Sequence, residues 1–150
     1  MKSGLVLAAT LIFAGLIFAG LAAAQDSQVI KDRQSLCQIS VPSDWTPDKL
    51  VHSMAASPDK KNSSVISALR AGASYQQAVQ VAKSTYTVTK TVEESEARTA
   101  LVYTNRNGKP GGGIYVATGG SQICVATVDF GDPAFESQAQ KIAATVKPVK

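Results

Sequence analysis

"GIYVATGGSQICVATVDF" (residues 113–130) decides how this chain is read. Gly113 to Thr118 and Ser121 to Phe130 are two strand-like runs joined at Gly119-Gly120. Glycine takes positive φ without steric cost, so the pair predicts a tight hairpin. In the second run Cys124, Ala126, Val128 and Phe130 alternate with their neighbours. That is the period-2 signature of a strand with one apolar face. Two strands joined by so short a turn are antiparallel.

Working outward toward the N-terminus, the loop tip "NRNGKPGGG" (105–113) links the hairpin to a strand at Arg98 to Asn105. Another strand, Tyr86 to Val92, precedes the polar turn Glu93-Glu94-Ser95-Glu96. Upstream the period changes: Tyr75, Ala78, Val79, Ala82 and Tyr86 recur at helical spacing. Ser74 followed by Gln77 forms a capping box, so a helix is predicted over 74–86. Ser64 to Ala71 and the weaker run Leu50 to Ser57 flank the turn cluster Pro58-Asp59-Lys60-Lys61-Asn62 and read as a hairpin. In the weaker run Leu50, His52, Met54 and Ala56 are expected on one side. Cys37, Ile39 and Val41 alternate with Gln38 and Ser40 in the first strand. At the other end Asp132-Pro133 reads as an N-cap with proline at N1. Phe135, Ala139, Ile142, Ala143 and Val146 supply the apolar stripe of the closing helix, which Pro148 ends. The order is βββαββββα: an α+β fold with an antiparallel β-sheet of about six to seven strands and two packed helices.

Met1-Lys2-Ser3 is a short basic start, Gly4 to Ala24 carries no charge, and Ala22-Ala23-Ala24 precedes Gln25. These are the parts of a secretory signal peptide, expected to be residues 1–24. The stretch also approaches the ~20 residues that span a bilayer, so an uncleaved anchor is the competing reading. Both readings place the remainder outside the cytoplasm, secreted or periplasmic. Residues 25–34 are polar and are expected to be a flexible leader, followed by a single domain over 35–150. The formal net charge is +4, with the charges interspersed. Without a basic run, or a basic stripe with aromatics, nucleic acid is not an expected partner. A membrane is expected as a partner only if residues 4–24 stay uncleaved.

The strand-Pro-x-x-Trp segment "ISVPSDW" (39–45), the capped helix 74–86, the central hairpins and "DPAFESQAQKIAATVKP" (132–148) together carry a resemblance. In element order the chain resembles the PsbP-like fold, shared by a photosystem II extrinsic subunit, a Ran-binding nuclear factor and bacterial envelope proteins of the DcrB and LpqN type. The resemblance implies a binding or accessory module outside the cytoplasm. It brings no catalytic residues, and the lipobox common in the bacterial relatives is missing.

His52 is the only histidine. A hydrolase would need it beside a nucleophile and an orienting acid, and no G-x-S-x-G is present. A lone histidine without paired Cys or His spacing predicts no zinc, and neither metal nor cofactor is expected. "GKPGGG" (108–113) departs from a phosphate loop, because proline follows the lysine and a strand follows the glycines. It reads as a hairpin tip whose Arg106 and Lys109 are candidate partner contacts. Glu93, Glu94 and Glu96 lack the spacing of a calcium loop. Asn62-Ser63-Ser64 fits a glycosylation sequon.

Cys37 and Cys124 both lie on apolar strand faces, and there is no C-x-x-C. Two core-facing cysteines in an exported chain predict a disulfide, which requires their strands to be neighbours or to face one another. Trp45 is expected to pack against the domain. The function that follows is a non-catalytic exported binding or accessory domain. Its partner is a protein or small ligand of the cell envelope, met through a sheet face, the 106–113 loop or a groove beside a helix. The alternatives are a small envelope hydrolase using His52 and an interaction module tethered by residues 4–24.

Overall fold

The computed structural model describes residues 26–105 and 109–150. In chain order the elements are β1 (Ser27–Lys31), β2 (Cys37–Pro42), β3 (Thr46–Pro47), β4 (Met54–Ala56), β5 (Asn62–Ala68), α1 (Tyr75–Thr85), β6 (Val88–Glu94), β7 (Arg98–Thr104), β8 (Gly112–Thr118), β9 (Cys124–Phe130), α2 (Glu136–Ala143) and β10 (Lys147–Pro148). A seven-stranded sheet runs β3-β4-β5-β9-β8-β7-β6, and a three-stranded sheet runs β1-β2-β10. Every pair is antiparallel, and the fold is α+β.

One crossing organises the large sheet. β5 lies beside β9, whereas β6 stands at the far edge, so the chain between them must traverse the sheet. α1 makes that crossing, after which β6 to β9 meander back by successive hairpins. Strand side chains alternate between faces, so each strand serves two cores. Ala100, Val102, Ile114, Val116, Ala126 and Val128 meet Ile39 and Val41 of the small sheet and Ala139 and Ile142 of α2 on the inner face. Leu101, Tyr103, Tyr115 and Ala117 meet Val79 and Ala82 of α1 on the outer face. β8, covered on both sides, is buried at every position. β9 is buried only at alternate positions, because α1 covers its outer side incompletely.

The helix predicted over 74–86 forms with its cap: Ser74 Oγ accepts from the Gln77 N–H at 3.3 Å. Other local expectations are corrected. The leader 25–34 contains β1, whose single buried residue, Ile30, is 4% exposed. Its polar composition reflects an edge strand: Ser27, Val29 and Lys31 face outward, and Gln28, on the Ile30 side, is half-buried with its amide bonded to the carbonyls of Pro42, Ser43 and Trp45. The first predicted strand, β2, belongs to the small sheet and faces the large one.

The weak strand 50–57 shortens to β4, and its buried residue is Ala55, in place of the expected Met54 and Ala56 face. Leu50 and His52 fall in an exposed loop because Asp48 Oδ1 accepts the N–H groups of Leu50 and Val51 at 2.8 Å each, turning the chain. The tight glycine hairpin is a five-residue link, 119–123, since Thr118 pairs with Cys124. Only Gly120 has positive φ, +116°; at Gly119 an added Cβ would lie 2.5 Å from the Glu96 carbonyl oxygen. Asp132 accepts from the Ala134 N–H as expected, but it caps a short 3-10 turn, Pro133–Phe135, before α2. The chain leaves the helix at Ala143, and Lys147 and Pro148 pair with β2. Proline is tolerated there because β10 is an edge strand.

Candidate functional site

The outer face of the large sheet is built around one row of residues. Tyr103 on β7, Gly113 on β8 and Asp129 on β9 are register partners across three strands. A Cβ at Gly113 would lie 2.3 Å from the Tyr103 ring and hydroxyl and 2.6 Å from Asp129 Oδ1. Glycine in the middle of the row therefore lets the Tyr103 ring lie across β8 and donate its hydroxyl to Asp129. Tyr86, just beyond α1, stacks on Tyr103 with ring centroids 4.2 Å apart, and Tyr115 stands 6.0 Å from Tyr86.

Burial sets the ionisation of this row. It pushes the Tyr103 hydroxyl far above the ordinary tyrosine range, and the bond to Asp129 adds to the effect. Burial, reinforced by the neighbouring Tyr86, pushes Tyr115 up to about 12. The Asp129 carboxyl is also raised by burial, partly offset by the hydroxyl it accepts. Desolvation disfavours the charged form in each case. The phenols are neutral donors at physiological pH, suited to packing and hydrogen bonding.

α1 is fastened to this face along one side. Tyr75 Oη bonds the Ser95 carbonyl at 2.9 Å and Thr99 Oγ1 at 2.6 Å, and Lys83 pairs with Glu94 at 2.5 Å. Toward β9 and β5 the helix stands away and leaves a groove of about 340 Å³. Leu69, Ala78, Val81, Tyr115 and Val125 line it, with Ser74 and Gln77 among its polar groups. Tyr115 Oη donates to the Ala78 carbonyl at 3.3 Å, tying the groove floor to the helix. A concave apolar surface with a few polar groups is what a binding site needs.

The residues singled out from sequence lie elsewhere. His52 is exposed in the loop after β3, and no hydrogen bond among the described residues orients its ring. Lys109 lies with Lys61, Asn105 and Pro110 around an open depression of about 520 Å³. Arg106 and the signal segment 1–24 lie outside the described residues. Glu93 and Glu94 diverge to separate ion-pair partners, Arg98 at 3.3 Å and Lys83. Among the described residues no group of acidic, histidine or cysteine side chains is arranged to hold a metal. The sequon is paired in β5, and Asn62 Oδ1 and Ser64 Oγ are buried without hydrogen-bond partners.

Cys37 and Cys124 are joined, with Cα atoms 5.6 Å apart and both residues fully buried. The bond links the small sheet to the large one through the inner core, and a buried disulfide suits a non-cytoplasmic compartment. Trp45 is 4% exposed and stacks on Phe135 at 6.2 Å. Sequence reasoning missed the Tyr103–Gly113–Asp129 row, because only the register of three strands brings these residues together.

No family model matches the chain, and no curated protein matches it. Among solved structures it is similar to the solution structure of cyanobacterial PsbP (CyanoP) from Synechocystis sp. PCC 6803, at 11% sequence identity and a TM-score of 0.48, covering 89% of this chain and 99% of that one. The DcrB and LpqN resemblance draws no support from these comparisons.

Proposed function

We propose that this chain is an exported, non-catalytic accessory domain that binds an apolar or aromatic-bearing partner group in the groove between α1 and the large sheet. The observation behind this reading is the one-sided attachment of α1. Tyr75, Lys83 and Thr99 close one flank, while the flank between Val81 and Val125 stays open. An apolar group entering there gains burial against Leu69, Ala78 and Val125 and finds hydrogen-bonding groups at Ser74 and Gln77. The neutral phenols beneath offer flat surface at little conformational cost. The disulfide supports the compartment, and cleavage after Ala24 fits the small residues that precede Gln25.

An apolar fluorescent probe, anilinonaphthalene sulfonate, tests the groove. Its emission is expected to rise with the wild-type protein and to fall back with Ala78→Glu, which places a charged side chain at the groove wall that repels the sulfonate. Equal emission with both proteins, at matched thermal stability, overturns the groove as the site. Mass determination of the processed N-terminus tests export, with Gln25 the expected first residue.

A further inference from the structure

The loop between β3 and β4 is constructed around an exposed apolar tip. Asp48 Oδ1 accepts the N–H groups of Leu50 and Val51, Asp48 N–H donates to the Met54 carbonyl at 2.9 Å, and Met54 N–H returns to the Val51 carbonyl at 2.8 Å. This ring of bonds fixes the loop while leaving Leu50 92% and Val51 45% exposed. A single exposed leucine is ordinary. Here Leu50 stands at the mouth of a largely apolar groove of about 650 Å³ that includes Pro47, Met54 and Ala56.

The charges around this groove are arranged unequally. Lys49 and Lys60 line it, and neither makes an ion pair among the described residues. The neighbouring carboxylates are turned to local donors. Asp48 holds the loop, while Asp59 accepts from Ser57 Oγ at 2.6 Å and from the Lys61 N–H at 3.0 Å. Free ammonium groups on flexible stems beside an apolar tip are the pattern of an interfacial contact, in which lysines reach phosphate while apolar side chains enter the headgroup layer. The positive net charge of the chain favours an anionic surface.

We infer that the Pro47–Met54 loop docks on the surface of an anionic lipid bilayer, Leu50 and Val51 entering the headgroup region and Lys49 and Lys60 meeting lipid phosphates. The contact lies apart from the α1 groove.

The full chain, reconstituted into vesicles whose acyl chains carry bromine, tests the contact. Leu50→Trp places a quenchable probe at the tip, and Val92→Trp on β6, exposed at the opposite edge of the large sheet, is the reference. Native Trp45, 4% exposed, gives a common background. In phosphatidylglycerol-containing vesicles the Leu50→Trp emission is expected to be quenched at least about twofold more than that of Val92→Trp. The difference is expected to shrink in phosphatidylcholine alone and with Lys49→Glu/Lys60→Glu. Because both probes share any tether supplied by residues 4–24, equal quenching at the two positions overturns the inference. Equal protection of Leu50→Trp by a brominated lysolipid below its micellar concentration, without a bilayer, also overturns it in favour of a soluble amphiphile. So does shielding of the probe by a protein partner with no response to anionic vesicles.

Discussion

The two faces of the seven-stranded sheet are made by the same alternation of side chains and end in opposite states. The inner face is closed by α2 and by β1-β2-β10, and a disulfide passes through it. The outer face is covered by one helix held along one flank, with a groove on the other. A cover attached at several places excludes water and stabilises. A cover attached on one side leaves apolar surface accessible at the cost of some burial. The inner face thus carries the closed, tied core, and the outer face carries the groove proposed for a partner.

The largest expected break in that comparison is removal of the inner tie. Cys37 and Cys124 are separated by 87 residues, a closure that the chain-entropy model values at on the order of 4–5 kcal/mol. The double replacement Cys37→Ala/Cys124→Ala is expected to lower the unfolding free energy by about that much, measured by equilibrium denaturation. A loss below about 1 kcal/mol would place the stability elsewhere.

Next is a neighbouring pair on β5. Ile66 is fully buried on the inner face, whereas Val65 beside it is half-buried on the outer one. Ile66→Ala is expected to cost about 2–5 kcal/mol from lost burial and the remaining cavity. Val65→Ala is expected to cost less than about 1 kcal/mol. Comparable losses, read from denaturant midpoints at constant slope, would erase the distinction between the faces.

How much of this was legible beforehand depends on the range of the interactions. α1 was readable because its signal is local: apolar spacing and a Ser74 cap lie within one turn of the residues they organise. The disulfide was readable because period-2 alternation reports which way a strand residue faces. The second sheet was not, since β1 contributes one buried residue and β10 contains a proline, and both exist only because β2 is there to pair. The face of β4 was misread because Asp48 ends the preceding run by bonding two N–H groups, which reset the alternation. The outer-face row was illegible for the same reason. Tyr103, Gly113 and Asp129 are far apart in the chain, and nothing short of the strand register puts glycine between an aromatic ring and a carboxylate.

Gly113→Ala sharpens the outer face alone. The added methyl must displace the Tyr103 ring and the Asp129 carboxylate, side-chain ends that can shift, so a loss of about 1–3 kcal/mol is expected. In a Tyr103→Ala background most of the steric conflict is gone, and the same substitution is expected to cost clearly less. Additive losses across that double-mutant cycle would mean the row is three independent residues.

The smallest effect is one of pH. The folded structure holds Asp129 above the ordinary carboxylate range through burial. A raised acid contributes stability that is fully present below its unfolded pKa and is lost as pH rises through the folded one. Wild type and Asp129→Asn are therefore expected to converge in the acid range. Toward neutral pH the variant should gain relative to wild type, provided its amide oxygen keeps the Tyr103 hydroxyl. The tyrosines act at the other end of the scale with the same sign. Tyr115 is raised from 10.0 to about 12, and Tyr103 is raised further. Their contributions are complete below the ordinary tyrosine pKa and decline above it, so alkaline destabilisation should begin near pH 10 and be weaker in Tyr103→Phe. Absorbance at the phenolate band, followed with unfolding free energy across both limbs, measures this. Were Asp129→Asn to lose stability at neutral pH with the Tyr103 bond intact, the carboxylate would be an asset of the fold, and the outer face would resemble the inner one more closely than its burial implies.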